Sequence, residues 1–368
     1  MKTKPLATLF LLLLSPFVIK NDLFSQSDAN NITERSKPLG TAIDLPDSIE
    51  RFRIMFYNTE NLFDPFDDSL TNDDEFTPEG SRHWTYKKFF HKLNNISKVI
   101  IGIGEWNPPA IIGLCEIENR FVLNKLIYET PLKNFGYRII HFESPDRRGI
   151  DVGLLYRQDV FLPLHCHPVS VCFPDYPDSK TRDILYVKGV VGKYDTLHFF
   201  INHWSSRLGG YEESKPKRLF TASVLRNVVD SLFIADTNPK VVIMGDFNDE
   251  PWDESIQSVL KAKTGLSQWC DTCLFDMMGS YKRNAVLGTN KYREDWSIID
   301  QIILSGNLLD SDHSLHASSD SAYIYAPGFL LEEDKVHFGK QPFRTYDGFK
   351  YSGGFSDHLP VFIDLVRK

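Results

Sequence analysis

Polar residues stand wherever the apolar runs of this chain stop. Asn58 and Glu60 follow RIMFY, Glu116 follows IIGLC, and His203 follows HFFIN. Asp246 and Asn248 follow VVIMG, Asp300 interrupts SIIDQIIL, and Asp357 and His358 precede LPVFIDL. Carboxylate and amide oxygens are hard ligands, suited to Mg²⁺ or Mn²⁺ rather than to a sulfur-loving metal. Imidazoles beside them could bind an anion or move a proton. The chemistry such a set could do is hydrolysis of a phosphate ester, in which negative charge must be neutralised before water attacks. Each signal has a plainer reading by itself. GDFND reads as a turn, SGGFSDH as a Gly-rich loop, Glu116 as a helix-start acid near Asn119, and His203 beside Trp204 as a structural histidine. As a set they need a common cause. Asp300 in particular sits in a run so apolar that its carboxylate must have a partner.

Strands and helices must bring these residues together. Phe52, Ile54 and Phe56 alternate as in a half-buried strand. Strands also fit Ile111–Leu114, Tyr137–Phe142, Val152–Tyr156, Ile184–Val191, Leu197–Ile201, Val241–Met244, Ile298–Leu304 and Leu359–Val366. A helix fits residues 85–101, where Phe89, Leu93, Ile96 and Ile100 share one face. Further helices fit 120–129 and 215–235, the latter with Phe220, Val224, Val228 and Leu232 four residues apart. Strands that alternate with helices and then run as hairpins predict mixed sheets covered by helices. Strand ends converge on one rim of a sheet, where α/β proteins build their sites. No internal repeat and no low-complexity linker divides residues 51–368, which read as a single domain.

The chain of 368 residues carries a formal net charge of −8. That argues against tight nucleic-acid binding by bulk charge, which needs Lys and Arg. It does not oppose an enzyme whose site alone is positive. Lys2 and Lys4 precede an apolar run from Leu6 to Ile19, and polar residues follow at once. This is the pattern of a secretory signal peptide over 1–26, followed by a flexible polar lead over 27–50. The run is shorter than the ~20 residues of a comfortable membrane span, so an uncleaved anchor is the weaker alternative. The mature chain is expected in the periplasm or outside the cell, off the membrane, as a monomer without a stable protein partner. Export permits disulfides. Cys166–Cys172 and Cys270–Cys273 are candidate local bridges, and Cys270-x-x-Cys273 lacks the second pair that a zinc site would need.

The segments FYNTEN, IGLCEIEN, INHWSSR, MGDFND, SIIDQIIL and GGFSDH, in this order, resemble the endonuclease/exonuclease/phosphatase superfamily. YNTENLFD, RRGIDVGLLYR and NHWSSRLGG look like its exported bacterial, nuclease-like members. The resemblance implies a four-layer α/β sandwich of two mixed sheets flanked by helices. It implies a divalent cation, Mg²⁺ or Mn²⁺, as one ion or two, on Glu116 with Glu60, Asp357 and Asn58. Asp246 would orient or deprotonate water, and Asn58 and Asn248 would ligate metal or hold the phosphate and water. His358, held by Asp300, would bind phosphate, and His203 would donate to a phosphate oxygen or the leaving group. The substrate implied is DNA or RNA, with a phosphatase or a phospholipid-headgroup phosphodiesterase as alternatives. A PAWCDR-like segment, typical of inositol polyphosphate 5-phosphatases, is missing where EDWSIIDQI stands. Arg148 in PDRRGID could fork onto a substrate phosphate, or lie in a solvated turn. Arg344, Tyr346 and Lys350 could line a groove, or simply pack.

Overall fold

The computed structural model describes residues 51–192, 195–236, 238–281, 287–318 and 322–367. The signal run and the polar lead lie outside the described residues. Among the described residues, twenty strands fall into two seven-stranded sheets and three short ribbons. The first sheet contains β1 (Arg51–Leu62), β2 (Ile111–Ile117), β3 (Tyr137–His141) and β4 (Asp151–Arg157). The second contains β5 (Phe161–Val169), β6 (Ile184–Val191), β7 (Asp195–His203) and β8 (Lys240–Asp246). Edge strands β9 (Ala262–Lys263) and β10 (Leu274–Asp276) extend the second sheet. After the ribbon β11 (Asn290–Tyr292) and β12 (Asp295–Ser297), β13 (Asp300–Ser305) returns to it. Strands β14 (Leu315–Ala317) and β15 (Tyr323–Ile324) join the first sheet. Ribbons β16 (Leu331–Glu333) with β17 (Lys340–Pro342), and β18 (Tyr346–Asp347) with β19 (Lys350–Tyr351), precede the last strand, β20 (Val361–Arg367).

The strand orders are β14-β20-β1-β2-β4-β3 and β5-β6-β7-β8-β13-β10-β9. Each sheet has a parallel pair at its heart: β1 with β2, and β7 with β8. Antiparallel neighbours β20 and β13 flank those pairs. A parallel pair ends at one rim, and an antiparallel neighbour begins there. The carboxyl ends of β1, β2, β7 and β8 therefore meet the starts of β13 and β20.

The inner faces of the two sheets make one core, with Phe56, Cys115 and Leu154 against Phe199, Met244 and Ile302. Gly113 sits at this interface. A Cβ there would lie 3.0 Å from Met244 Cε and 3.1 Å from Phe56 Cδ2, so the absence of a side chain lets the sheets approach. Helices α1 (Tyr86–Gly104) and α2 (Arg120–Glu129) cover the outer face of the first sheet. Phe89, Leu93, Ile96 and Ile100 are all buried, as their spacing predicts. Asn119 caps α2 by accepting the Val122 N–H. Helix α3 (Tyr211–Ala235) covers the second sheet. Its deepest residues are Ala222, Leu225 and Val229, one step round from the predicted stripe, which is only partly buried. The result is a four-layer α/β sandwich, with one helix on one side and two on the other. No helix of the described residues is long and apolar enough to cross a membrane. Cys270 and Cys273 form a disulfide, whereas Cys166 and Cys172 are free, which removes both the second expected bridge and the zinc alternative.

Asp276 ends β10 inside the core. One carboxylate oxygen accepts the Met278 N–H at 2.8 Å and the other is buried without a partner. Burial pushes its pKa up to about 7. A carboxyl raised above its unfolded value favours the folded state at low pH. That contribution is lost as pH rises from the ordinary carboxylate range through about 7. Asp276→Asn keeps an acceptor for Met278 and removes the titration. Urea unfolding is expected to show the variant more stable than wild type at pH 8, on the order of 2 kcal/mol, with the gap closing toward pH 4.

Candidate active site

Asp246 is the centre of the rim. Its Oδ2 accepts a hydrogen bond from Asn58 Nδ2 at 3.0 Å. The same oxygen lies 3.7 Å from His203 Nε2 and 3.9 Å from His358 Nε2. Its Oδ1 accepts the Asn248 backbone N–H at 3.0 Å. Sheet register sets this placement, because Asp246 pairs with His203 on one side and Asp300 on the other. Burial pushes the Asp246 pKa up to about 7, with Asp300 and Glu116 adding to it and His358 opposing.

Glu116 closes the cluster from the first sheet. Its Oε1 is 3.4 Å from Asn58 Nδ2 and 3.8 Å from His203 Nε2, and Oε2 accepts the Asn61 N–H at 2.9 Å. It occupies a bulge where the β2–β4 register slips, and its φ is 56°. Glu60, Asn61 and Asn248 also have positive φ, at 50°, 54° and 52°. Such conformations are uncommon for these residue types and cluster at functional sites.

The two histidines differ in charge. His358 Nδ1 donates to Asp300 Oδ2 at 2.7 Å, which leaves Nε2 facing Asp246 and Asp357. Burial alone would lower its pKa, but Asp300 and Asp246 outweigh burial and hold it well above the ordinary value. His203 is buried, and burial together with Arg182 and Arg148 pushes its pKa well below the ordinary value. The site thus holds one cationic and one neutral imidazole. Ser356 ties the segment entering β20 to β1, donating to Asn58 O at 2.7 Å and accepting the His358 N–H at 3.1 Å.

Two of the expected metal ligands are engaged with protein groups. Asn58 turns its amide nitrogen toward Asp246 and Glu116, while its Oδ1 accepts the Glu60 N–H at 2.9 Å. In this position it orients both carboxylates. Glu60 is anchored elsewhere. Its Oε2 accepts the Thr345 N–H at 2.7 Å and lies 3.6 Å from the Nζ of Lys92, a lysine with no exposed side-chain surface. Lys92 also donates to Thr345 Oγ1 and, at 2.6 Å, to Phe355 O. This tie fixes the segment that leads to Asp357. Arg148 is half exposed, with only a long 3.4 Å contact to Asp146, and its charge reaches His203. Asn248 holds Trp204 O through Nδ2 at 3.2 Å.

Sequence reasoning missed the arginines that brace these loops. Arg182 donates to the carbonyls of His203 and Trp204 and to Asp146. Arg207 donates to Asn248 O at 2.6 Å. Arg182 stands outside every quoted motif, and Arg207 closes INHWSSR without being singled out there. Lys92 falls among the apolar positions of α1, and a lysine there was the one available signal.

The donor set fits a hard divalent cation. Carboxylates of Glu116, Asp246, Asp300 and Asp357 crowd one rim, Asp300 Oδ1 is buried without a hydrogen bond, and Asp246 is driven toward its neutral form. A cation relieves that repulsion. Asp246, Asp300 and His358 present ligand atoms within 4.8 Å of one another, as do Cys115, His203 and Asp246.

Residues 53–367 match the model of the Endonuclease/Exonuclease/phosphatase family. The chain belongs to that family. Its members are metal-dependent phosphoester hydrolases, and the rim described above is where this member carries the matching carboxylates and histidines. An endonuclease/exonuclease/phosphatase family protein from Bacteroides thetaiotaomicron is similar at 17% identity and TM-score 0.51, covering 86% of this chain and 98% of that one. A humanised D. rerio TDP2 is similar at 14% identity and TM-score 0.51, with 86% and 98% covered. A B. thetaiotaomicron mannosyl-6-phosphatase is similar at 18% identity and TM-score 0.50, with 86% and 99% covered. No curated protein sequence matches the chain significantly.

Lys92→Ala would leave Glu60 buried without its cation. Removing one partner of such a pair is expected to lower stability by about 3–5 kcal/mol, read by urea unfolding. A loss within experimental error would show that Lys92 does not hold the site's floor.

Proposed function

We propose that this chain is an exported nuclease that hydrolyses phosphodiester bonds of DNA or RNA. The observation that carries the reading is the pair of imidazoles, His203 and His358, whose Nε2 atoms lie 3.7 Å and 3.9 Å from the same oxygen of Asp246. Hydrolysis of a diester needs a base for water, a cation for the phosphate and a donor for the leaving oxygen. Asp246, held by Asn58 and the Asn248 N–H, accepts the proton of the attacking water. A pKa of about 7 suits that task near neutral pH. His358 turns an N–H toward the phosphate and offsets the charge that grows on its oxygens, while Asp300 fixes the tautomer. His203, uncharged, donates a hydrogen bond to the leaving oxygen as the P–O bond breaks, and that oxygen takes its proton from solvent. Arg148 is placed to meet a non-bridging oxygen.

Glu116 and Asp357 are the ligands we assign to Mg²⁺, with Mn²⁺ as a substitute. The ion supplies Lewis acidity and orients the phosphate when bound. Nucleic acid as substrate is supported by the His203 motif and by the similarity to D. rerio TDP2, a structure of which is complexed with a single-strand DNA product. Export to the periplasm or the medium is supported by the apolar run Leu6–Ile19 behind two lysines. The chain works as a monomer in this reading, away from the membrane.

Supercoiled plasmid tests it. The mature chain is expected to nick plasmid in Mg²⁺, to stop in chelator, and to lose at least about a hundredfold in rate as His203→Ala. Folded, metal-loaded protein that leaves plasmid and RNA intact would sink the nuclease reading and move the substrate to a sugar or lipid phosphate.

A further inference from the structure

A cleft of about 260 Å³ opens beside the catalytic rim. Glu60 and Asp357 form its inner wall, and Arg82, Arg344, Trp84 and Tyr346 form the rest. Nearly every charge in it is already matched. Glu60 faces Lys92 at 3.6 Å. Arg82 donates to Glu75 at 3.1 Å and to Gly348 O at 2.6 Å, and its guanidinium lies 5.0 Å from the Tyr346 ring centroid. Asp357 turns toward His358.

Arg344 is the exception. Among the described residues its side chain has no hydrogen bond and no ion pair, and its Nε is buried without a partner. A guanidinium donates five N–H bonds in a fixed fork and cannot shed its charge. Here Nε is enclosed without a partner, and the rest of the fork, on a partly exposed side chain, stands open to an anion. The aromatic residues do not offer a base-stacking surface. Trp84 is fully buried with its indole N–H given to Phe63 O, and Tyr346 is buried beneath Arg82 and Lys88. The chemistry left over is a planar cation facing an anion, and a phosphate matches that fork.

We propose that this cleft is a subsite for a second phosphate of the substrate, received by Arg344 next to the phosphate that reacts. The inference rests on the phosphodiesterase reading and sharpens it. Substrates with a neighbouring phosphate, as in a nucleotide chain, are preferred over those with a single phosphate group. Because Asp357 joins the cleft to the metal-binding rim, the two phosphates belong to one molecule.

Calorimetry with thymidine dinucleotides, with and without a terminal phosphate at either end, tests the subsite in Mg²⁺. Wild type is expected to bind one of the phosphate-bearing forms at least tenfold more tightly. Arg344→Ala is expected to narrow that preference to less than twofold, and Arg344→Lys to leave an intermediate preference because the fork is lost. Melting temperature checks that each variant is folded. No preference in wild type, or a preference that survives in folded Arg344→Ala, would overturn the proposal. Turnover of bis(4-nitrophenyl) phosphate reports separately on the reacting site. Its absence in wild type would refute the phosphodiesterase reading, while the binding preference would still decide the subsite.

Discussion

Like charges crowded at one sheet rim govern this structure. Glu116, Asp246, Asp300 and Asp357 come from both sheets, and burial raises the cost of keeping Asp246 ionised among them. The protein answers with fixed partners rather than with solvent. Asp300 is matched to His358, Asp246 is held by an amide and a backbone N–H, and Glu116 is held by the Asn61 N–H. The remaining repulsion around Asp246 makes the rim a place where a hard cation is favoured. Structure and proposed function meet at that point, because the same field that strains the folded protein favours a hard divalent cation.

The sandwich exists in order that those groups can meet. Two sheets with a parallel pair at each centre send four carboxyl ends and two strand starts to one rim. The sheets must also lie close. Gly113 beneath Met244 and Phe56 allows it, and Asn58 bonds across to Asp246 at the rim itself. Positive φ angles at Glu60, Asn61, Glu116 and Asn248 re-aim the chain as it leaves β1, β2 and β8. Strain of this kind is of order 1–3 kcal/mol per residue, and the buried sheets beneath are rigid enough to hold it. Lys92 supports the other flank, linking α1 to the segment before Asp357.

Much of this was legible in the sequence, for identifiable reasons. Strongly periodic elements such as α1, and buried runs such as VVIMG, announce themselves because burial fixes their side chains on one face. Residues placed by strand ends, such as His203, Asp246 and Asp300, could be located because strand ends are easy to find. Strand β5 was not seen. FLPLHCHPV holds two prolines and no clean alternation, which an edge strand tolerates and a central one does not. The ribbons between residues 290 and 351 were missed because two- and three-residue strands leave no period. Asn58 and Glu60 were read as metal ligands because their types allow it. Their contacts in the fold depend on which way an amide faces and on a buried lysine more than thirty residues ahead in sequence, and neither has a local signature. Arg182 and Arg207 bond to carbonyls, and such contacts leave no trace in the pattern of residue types.

The most direct measurement is the thermal midpoint of the mature protein with and without Mg²⁺, for wild type and for Glu116→Ala. A ligand that binds only the folded state raises stability by about 2.7 kcal/mol at one hundred times its dissociation constant. Wild type is expected to melt several degrees higher in Mg²⁺, to lose the gain in chelator, and to lose it again as Glu116→Ala. A wild-type midpoint indifferent to Mg²⁺ and Mn²⁺, or an undiminished rise in Glu116→Ala, would contradict the claim that this rim of carboxylates is a metal centre.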